Sequence, residues 1–321
     1  MKQFVFLVLF LLLLPFCAKL SFAQGEVDTR TKLNFLFTSS RSGKQEIWKK
    51  ENGVYTQLTK EKKQESWRAR ISPDGKKVLF YRSPSGSFSN TTEKASLWVM
   101  NIDGSEQTLL IKQGDNGWVE QSGANWSPDG QKIIMAVAVE KNGPLTIMVT
   151  DNQGKNPQQL IKRKGYFADP AFSPDGNWIA YVAWPEDYIG TSLGHLEIFV
   201  MKADGSEETR LTYDEFRDHD PAWSLDSKML VFETATRPGN IIVGKWGIRT
   251  MPIAAEEPKN VVFNEAVNLM PQWLPGRNGL IFQQVTYLKN RAQLLIVNTD
   301  GSNPIPITDG KYDDKEVNLL P

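Results

Sequence analysis

His195 and His219 are the only histidines in the 321 residues, and each stands beside groups that could make it reactive. His219 sits in Asp218-His219-Asp220, and a matching stretch about fifty residues earlier carries Asp169 where the later one has Asp220. Carboxylates and an imidazole gathered at one point can ligate a cation or grip a polar ligand. His195 follows GTSLG, Gly190 to Gly194, which fits the G-x-S-x-G of a nucleophile elbow. That elbow needs a strand before the serine and a helix after it. Here the next residues, LEIFVM, read as a strand, so serine hydrolysis is not expected. No run of the D-x-D-x-D-G kind offers a calcium loop. An imidazole at a strand entry more commonly caps the strand or meets a partner than carries catalysis.

The single cysteine, Cys17, lies in a segment that reads as an export signal. Lys2 is followed by the apolar FVFLVLFLLLLPFCA and then by small residues at Ser21 and Ala23. These are the charged start, apolar run and cleavage site of a secretory signal peptide over residues 1–23, with Gln24 as the first mature residue. LLPFC loosely resembles a lipid-attachment box, but Phe16 is bulky where such boxes are small, so plain cleavage is preferred to a lipoprotein. The mature chain then has no cysteine, hence no disulfide or thiol chemistry. The 37 basic and 37 acidic residues are interspersed, which argues against a nucleic-acid face. No later stretch is apolar for long enough to span a bilayer.

Stepping outward from the histidines, the chain is a repeat. RARISPDGKKVLFY, GANWSPDGQKIIMAV, DPAFSPDGNWIAYV, DPAWSLDSKMLVFE and MPQWLPGRNGLIFQ recur about every fifty residues. Each is followed by a module such as LWVMNIDGSEQTLL or IFVMKADGSEETRLT. In both modules an apolar run meets Pro-Asp-Gly or Asp-Gly and a second apolar run follows, which is the pattern of a β-hairpin. Two hairpins make a four-stranded unit, A to D, that buries its faces only by stacking on its neighbours. The start of the chain supplies B, C and D without A, while KEVNLLP at the end resembles EAVNLMP, Glu265 to Pro271, which leads into a strand A. The expectation is one all-β domain over residues 24–321: a six-bladed β-propeller of four-stranded antiparallel blades, closed by N- and C-terminal strands sharing one blade.

The PAWSPDG and DGS…LT modules resemble the WD40-like (PD40) repeats of the TolB-type propeller across the whole mature chain. TolB itself carries an N-terminal α/β domain, and the sequence leaves no room for it between the signal and the first strand. The resemblance implies a periplasmic or secreted envelope module that engages a protein or peptide at the mouth of its central channel. Similar blades gate hydrolases in prolyl oligopeptidases and form the enzyme in oligogalacturonide lyases. The four-histidine pattern of those lyases is not matched by two histidines, so a carbohydrate-active or glycan-binding propeller is the alternative reading.

The A–B and C–D turns are short and uniform, whereas the B–C and D–A loops vary, and variable loops on a rigid scaffold carry function. They hold Trp118, Tyr166, Phe167, Trp184, Tyr188, Phe216, Arg217, His219, Trp246 and Tyr287. Binding is expected at Asp169, Trp184, Tyr188, Arg217, His219 and Asp220, at the channel mouth on that loop face, with His219 readily protonated between two aspartates. The SPDG aspartates are expected to shape turns. No catalytic residue, metal or cofactor is expected, and a monomer is. Asn125, in an N-x-S sequon just ahead of a strand core, is expected to be a poor glycan acceptor, and the Asn90 sequon is a chance match.

Overall fold

Serine, aspartate and glycine close the A–B hairpins by one repeated device. At Ser72, Ser127, Ser173 and Ser224 the hydroxyl donates to the aspartate two residues on, at 2.5–2.6 Å. It also accepts the backbone N–H five residues on, at 2.9–3.0 Å. The exposed carboxyls of Asp74, Asp129, Asp175 and Asp226 are held below the usual range, first by that serine bond. These aspartates shape turns, as the sequence indicates.

The computed structural model describes residues 33–86, 94–190, 192–235, 245–254, 256–276, 278–286 and 291–320. The export signal with Cys17, and Asn90, Thr191 and Tyr287, lie outside them. No helix among the described residues is long and apolar enough to cross a membrane.

The first sheet joins the two ends of the described chain: β1 (Phe35–Ser39), β2 (Glu46–Glu51) and β3 (Val54–Gln57), with β24 (Asp314–Leu319) on the inner side of β1. The second is β4 (Gln64–Ile71), β5 (Lys77–Pro84), β6 (Ser96–Asn101) and β7 (Thr108–Ile111). The third is β8 (Glu120–Trp126), β9 (Lys132–Ala138), β10 (Thr146–Asp151) and β11 (Gln158–Gln159). The fourth is β12 (Phe167–Phe172), β13 (Trp178–Ala183), β14 (Glu197–Lys202) and β15 (Thr209–Arg210).

The rest of the chain departs from the expected pattern of separate sheets. β16 (Asp218–Trp223), β17 (Met229–Ala235), β18 (Trp246–Pro252) and β19 (Lys259–Val262) are joined to β20 (Val267–Trp273), β21 (Gly279–Thr286), β22 (Arg291–Asn298) and β23 (Ile305–Pro306) in one eight-stranded sheet. The join is a single parallel bridge, Trp246 to Val267. Its cause is local: the Asn268 amide donates to the Trp246 carbonyl at 2.8 Å and draws the start of β20 against β18. Within each half the pairing is antiparallel and four-stranded, like the other sheets.

The second strand of each set is sandwiched on both faces, and so reads as an unbroken apolar run rather than an alternation. KVLFYRSP of β5 and KIIMAVA of β9 are buried along nearly their whole length. The cores lie between neighbouring sheets: Leu36, Phe80 and Met100 meet between the first and second, and Ala180, Ile198, Leu230 and Phe232 between the fourth and the β16–β19 half. Three outermost strands, β11, β15 and β23, are two residues long, which leaves little open edge for pairing with another chain.

Closure is specific. β24 pairs antiparallel with β1, Leu319 opposite Phe35 and Asp314 opposite Ser39. Ser39 Oγ donates to Asp314 at 2.6 Å, Arg41 does so at 2.7 Å, and Thr38 Oγ1 donates to Glu316 at 2.7 Å. Deleting Asp313 to Pro321 removes these bonds, buries nothing in place of Val317 and opens the inner edge of β1. The expected cost is several kcal/mol, at the upper end of single structural losses. Urea unfolding of the truncated and full chains measures it, and a midpoint unchanged by the deletion would show that closure does not depend on β24.

Candidate functional site

Six strands, β4, β8, β12, β16, β20 and β24, line one central cavity of ≈ 510 Å³. Each carries one extra residue relative to its partner strand at the same point along its length. That β-bulge holds a residue at left-handed φ: Arg68 at 56°, Gly123 at 65°, Asp169 at 51°, Asp220 at 46°, Met270 at 51° and Glu316 at 56°. Five of the six are not glycine, and each such backbone costs about 1–3 kcal/mol. A bulge turns the strand and re-aims its side chain, and here five of the six bulge residues, all but Glu316, face the cavity.

A bulge also leaves a backbone N–H outside the ladder, and the preceding sheet supplies its acceptor. Arg68 N–H donates to Glu316 at 2.8 Å and Thr38 at 3.1 Å, Met270 N–H to Glu233 at 2.6 Å, and Glu316 N–H to Gln283 at 2.8 Å. Beside Gly123, the Ala124 N–H reaches the Tyr81 hydroxyl at 3.2 Å. Thr38, Tyr81, Glu233 and Gln283 hold the same place on the second strand of their sets, directly ahead of the bulge they serve.

The bulge side chains form a charged floor. Arg68 pairs with Asp220 at 2.7 Å. Burial works against its charge, but Asp220, Asp169 and Glu316 outweigh that and raise its pKa. Arg70 is lowered to about 10, first by burial and then by Arg68. Asp220 is raised by burial and by Asp169, against Arg68. Glu233 is raised well above the carboxylate range by burial and by Asp220. Burial would raise Asp169 as well, but its hydrogen bond with His219 and the Arg68 charge hold it low.

The sequence reading brought Asp169, His219 and Asp220 together, and the structure does so with a different division of partners. His219 Nδ1 lies 2.7 Å from Asp169, while Arg217 Nε donates to His219 Nε2 at 2.7 Å. The ring is thus held between a carboxylate on one side and a guanidinium on the other. The expected flanking of His219 by two aspartates is corrected in its geometry: Asp169 faces one ring nitrogen, Arg217 the other, and Asp220 is engaged by Arg68. Trp246 packs edge-on against His219 at 5.9 Å, with the Arg217 guanidinium 5.6 Å from its ring.

Trp184 and Tyr188 are not part of this floor. They belong to an aromatic stack on the loop face: Tyr166 to Trp184 at 5.4 Å, Trp184 to Tyr188 at 5.9 Å, and Tyr188 to His195 at 4.7 Å. Trp184 Nε1 anchors the loop on the Ser192 carbonyl at 2.9 Å. Ser192 caps a 3-10 turn, Leu193–His195, and its hydroxyl accepts the Gly194 N–H, so GTSLG forms no strand-to-helix elbow. Trp118 and Phe167 are core residues, 4% and 1% exposed, rather than loop contacts. Asn125 is spent on Arg70 and the Pro170 carbonyl, in keeping with a poor glycan acceptor.

The cavity lining runs from the bulges towards the A–B turns. Beyond the bulges its wall is built by Trp126, Phe172, Trp223 and Trp273, and its rim by A–B turn residues such as Pro174 and Leu225. It opens on the uniform-turn face, and Asp169 and Asp220 form its inner end. The tryptophans cannot swing away, because their indoles are bonded to the preceding inner strand: Trp126 to the Arg70 carbonyl, Trp223 to Ala171 and Trp273 to Ala222, at 3.0–3.3 Å.

A further polar group, missed in the sequence because its members are far apart in the repeat pattern, lies at the seam between the fourth sheet and the β16–β19 half. Glu197 opens β14, Asp218 opens β16, and Asp214 lies in the loop before it; one carboxylate oxygen from each falls within 4.8 Å of the others. Burial lifts Asp218 to about 7, helped by Asp214, and lifts Glu197 to about 8, helped by Asp218. Arg210 reaches Glu197 at 3.0 Å and Arg249 reaches Asp214 at 2.5 Å.

Taken together these features define an all-β propeller, a fold shared with solved TolB structures. No family model matches the chain. It is 29% identical over 163 residues to an uncharacterized protein of Agrobacterium fabrum, covering 50% of this chain and 48% of that one. It is 26% identical over 183 residues to a TolB homolog of Chlorobium luteolum, 55% of this chain and 36% of that one. The matched stretch thus spans about half or less of these relatives. Among solved structures, a putative TolB from Agrobacterium tumefaciens aligns over 90% of this chain and 98% of its own, with a TM-score of 0.64 and 17% identity. TolB from Acinetobacter baumannii covers 91% and 67%, at 0.66 and 15%. An oligogalacturonate lyase in complex with manganese covers 86% and 74%, at 0.56 and 13%.

Two outcomes follow from the charges. Arg68→Met keeps the backbone cost at this position but leaves Asp220 and Glu316 without their cation. The expected loss is about 3–5 kcal/mol, and adding Asp220→Asn should recover part of it; a single variant within 1 kcal/mol of wild type, by urea unfolding, would remove Arg68 from the centre of the network. At the seam, Asp218 and Glu197 hold protons when folded that the unfolded chain releases near pH 4. Stability therefore falls as pH rises from about 4 towards 7–8. Melting in chelator between pH 5 and pH 8 should show the fall, and Asp218→Asn should flatten it.

Proposed function

We propose that the chain is a non-catalytic binding module of the cell envelope, exported by residues 1–23 to the periplasm or beyond. In this reading it is a six-bladed TolB-like propeller with PD40 repeats, the two halves of the eight-stranded sheet counting as one blade each. It takes a protein or peptide segment into its channel. The observation that carries this reading is the cavity itself: an aromatic and proline-lined shaft ending on a charged floor whose groups are already paired with one another. Such a shaft suits an extended segment that buries apolar side chains along the wall and ends in a polar group at Asp169, Asp220 and Arg70. Concave, largely apolar sites with a few convergent polar groups are where ligands bind. Arg217 and His219 act from the far side by holding Asp169 in place. Trp184 and Tyr188 offer a second contact, on the loop face, to a partner that reaches through or around the ring.

The alternative, a carbohydrate-active propeller, draws on the fold shared with the manganese-bound oligogalacturonate lyase and on the His219–Asp169 pair beside the channel. Incubating the protein with oligogalacturonides and manganese, and following unsaturated products by absorbance, separates the two readings.

The binding reading is tested by capture from envelope extract with the wild-type chain, Leu225→Asp at the rim and Trp184→Ala on the loop face. Leu225 is 65% exposed, so its replacement should leave the melting temperature nearly intact. The captured partner should bind Leu225→Asp at least tenfold more weakly and Trp184→Ala only a few-fold so. A partner lost only in Trp184→Ala would move the site to the loop face.

A further inference from the structure

The seam cluster has a chemistry that the channel does not explain. Arg210 occupies one oxygen of Glu197. Asp214 is occupied on both, by Arg249 at 2.5 Å and by the Phe216 N–H at 2.9 Å. What remains is unusual: Glu197 Oε2 and both carboxylate oxygens of Asp218 are buried without a hydrogen-bond partner. Asp218 is fully buried and Glu197 is 3% exposed. A fourth oxygen points the same way and belongs to no carboxylate. Thr234 stands directly opposite Asp218 in the strand pair and is fully buried; its Oγ1 lies beside the Asp218 carboxylate, as the Thr212 hydroxyl does, but makes no well-aligned hydrogen bond to it. Buried polar atoms are almost always satisfied, and each exception asks for a cause.

From these four unpartnered oxygens and the close approach of three carboxylates, we propose that Glu197, Asp214, Asp218 and Thr234 form a binding site for a hard divalent cation, calcium, at the seam between the two sheets. The spacing fits. Oxygens on one calcium lie about 2.3–2.6 Å from the ion, so any two are no more than about 5 Å apart, and the three carboxylates here converge to within 4.8 Å. The donor set is oxygen only, with no imidazole or thiolate, which favours calcium over zinc or copper. The charge fits as well: three carboxylates face two guanidiniums, so the group lacks positive charge. The site joins β14, the loop 211–217 and β16, so the ion would tie two sheets together and fix the loop that leads to Arg217 and His219. This inference is independent of what occupies the channel.

The test uses the full chain treated with chelator, titrated with calcium chloride alone. One calcium per chain should bind by calorimetry, and the melting temperature should rise by several degrees with saturating calcium. Asp218→Asn should remove both effects. Should Asp218→Asn fail to fold, Thr234→Val and Glu197→Gln serve instead, each weakening calcium binding at least tenfold. Absence of binding at millimolar calcium overturns the proposal. So does a calcium response that persists in these variants, and so does an Asp218→Asn protein that melts higher than wild type while wild type ignores calcium, which would show that protons alone satisfy the cluster.

Discussion

A ring of sheets brings its inner strands together at an axis where there is room for little more than backbone, and the left-handed bulge is how this chain meets that constraint. Without an extra residue each inner strand would run straight past the axis, and its side chains would collide with those of its neighbours. With it, the strand bends, and in five of the six strands the bulge residue turns into the shaft. The bend costs strain at five non-glycine residues and frees a backbone N–H that the ladder no longer holds. The strain is tolerable only because the neighbouring sheet supplies an acceptor. Thr38, Glu233 and Gln283 are therefore couplings between sheets as much as caps, since each fixes the angle at which the next inner strand arrives.

The charges on the floor follow from the same geometry. A residue forced into the shaft must be small, apolar or paired. Gly123 is the first and Met270 the second, while Arg68, Asp169 and Asp220 are the third. Arg68 is the member that the others share: it binds Asp220 through its side chain and Glu316 through its backbone. A floor that neutralises itself offers a partner dipoles and partial charges rather than a bare ion.

Much of this architecture was legible in the sequence. The SPDG and DGS turns carry their geometry in their side chains, and the missing first strand is matched by KEVNLLP at the other end, which is where β24 pairs with β1. The offset of about fifty residues also brought Asp169 and His219 together correctly. Three things were not legible. The bulge falls on Arg, Asp, Met, Glu and Gly alike, so no residue type marks it. Which end of the shaft is open depends on how far the inner strands converge, and a repeat pattern carries no such distance. The pairing of Glu197 with Asp218 crosses a seam between repeats, whereas repetition reveals only what lies within one. The residue types alone gave no signal: Gln293 and Asn268 stand at these places in the last repeat, but the first sheet carries Glu46 and Asp314 there, so acids at these positions do not mark the seam.

The two polar groups, axis and seam, differ in a way that bears on what each can hold. At the axis every carboxylate that is kept low in pKa has a cation or an imidazole against it, and the one lifted furthest, Glu233, is bonded to the Met270 N–H. At the seam the two guanidiniums are committed to Glu197 and Asp214, and Asp218 receives neither. Burial then leaves Asp218 two choices, to take up a proton or to share an external positive charge. A proton on Asp218 can be donated to one neighbouring oxygen, whereas a single cation can be shared by all of them from one point. The axis pairs its carboxylates with cations of this chain, and the seam is the place where Asp218 has none.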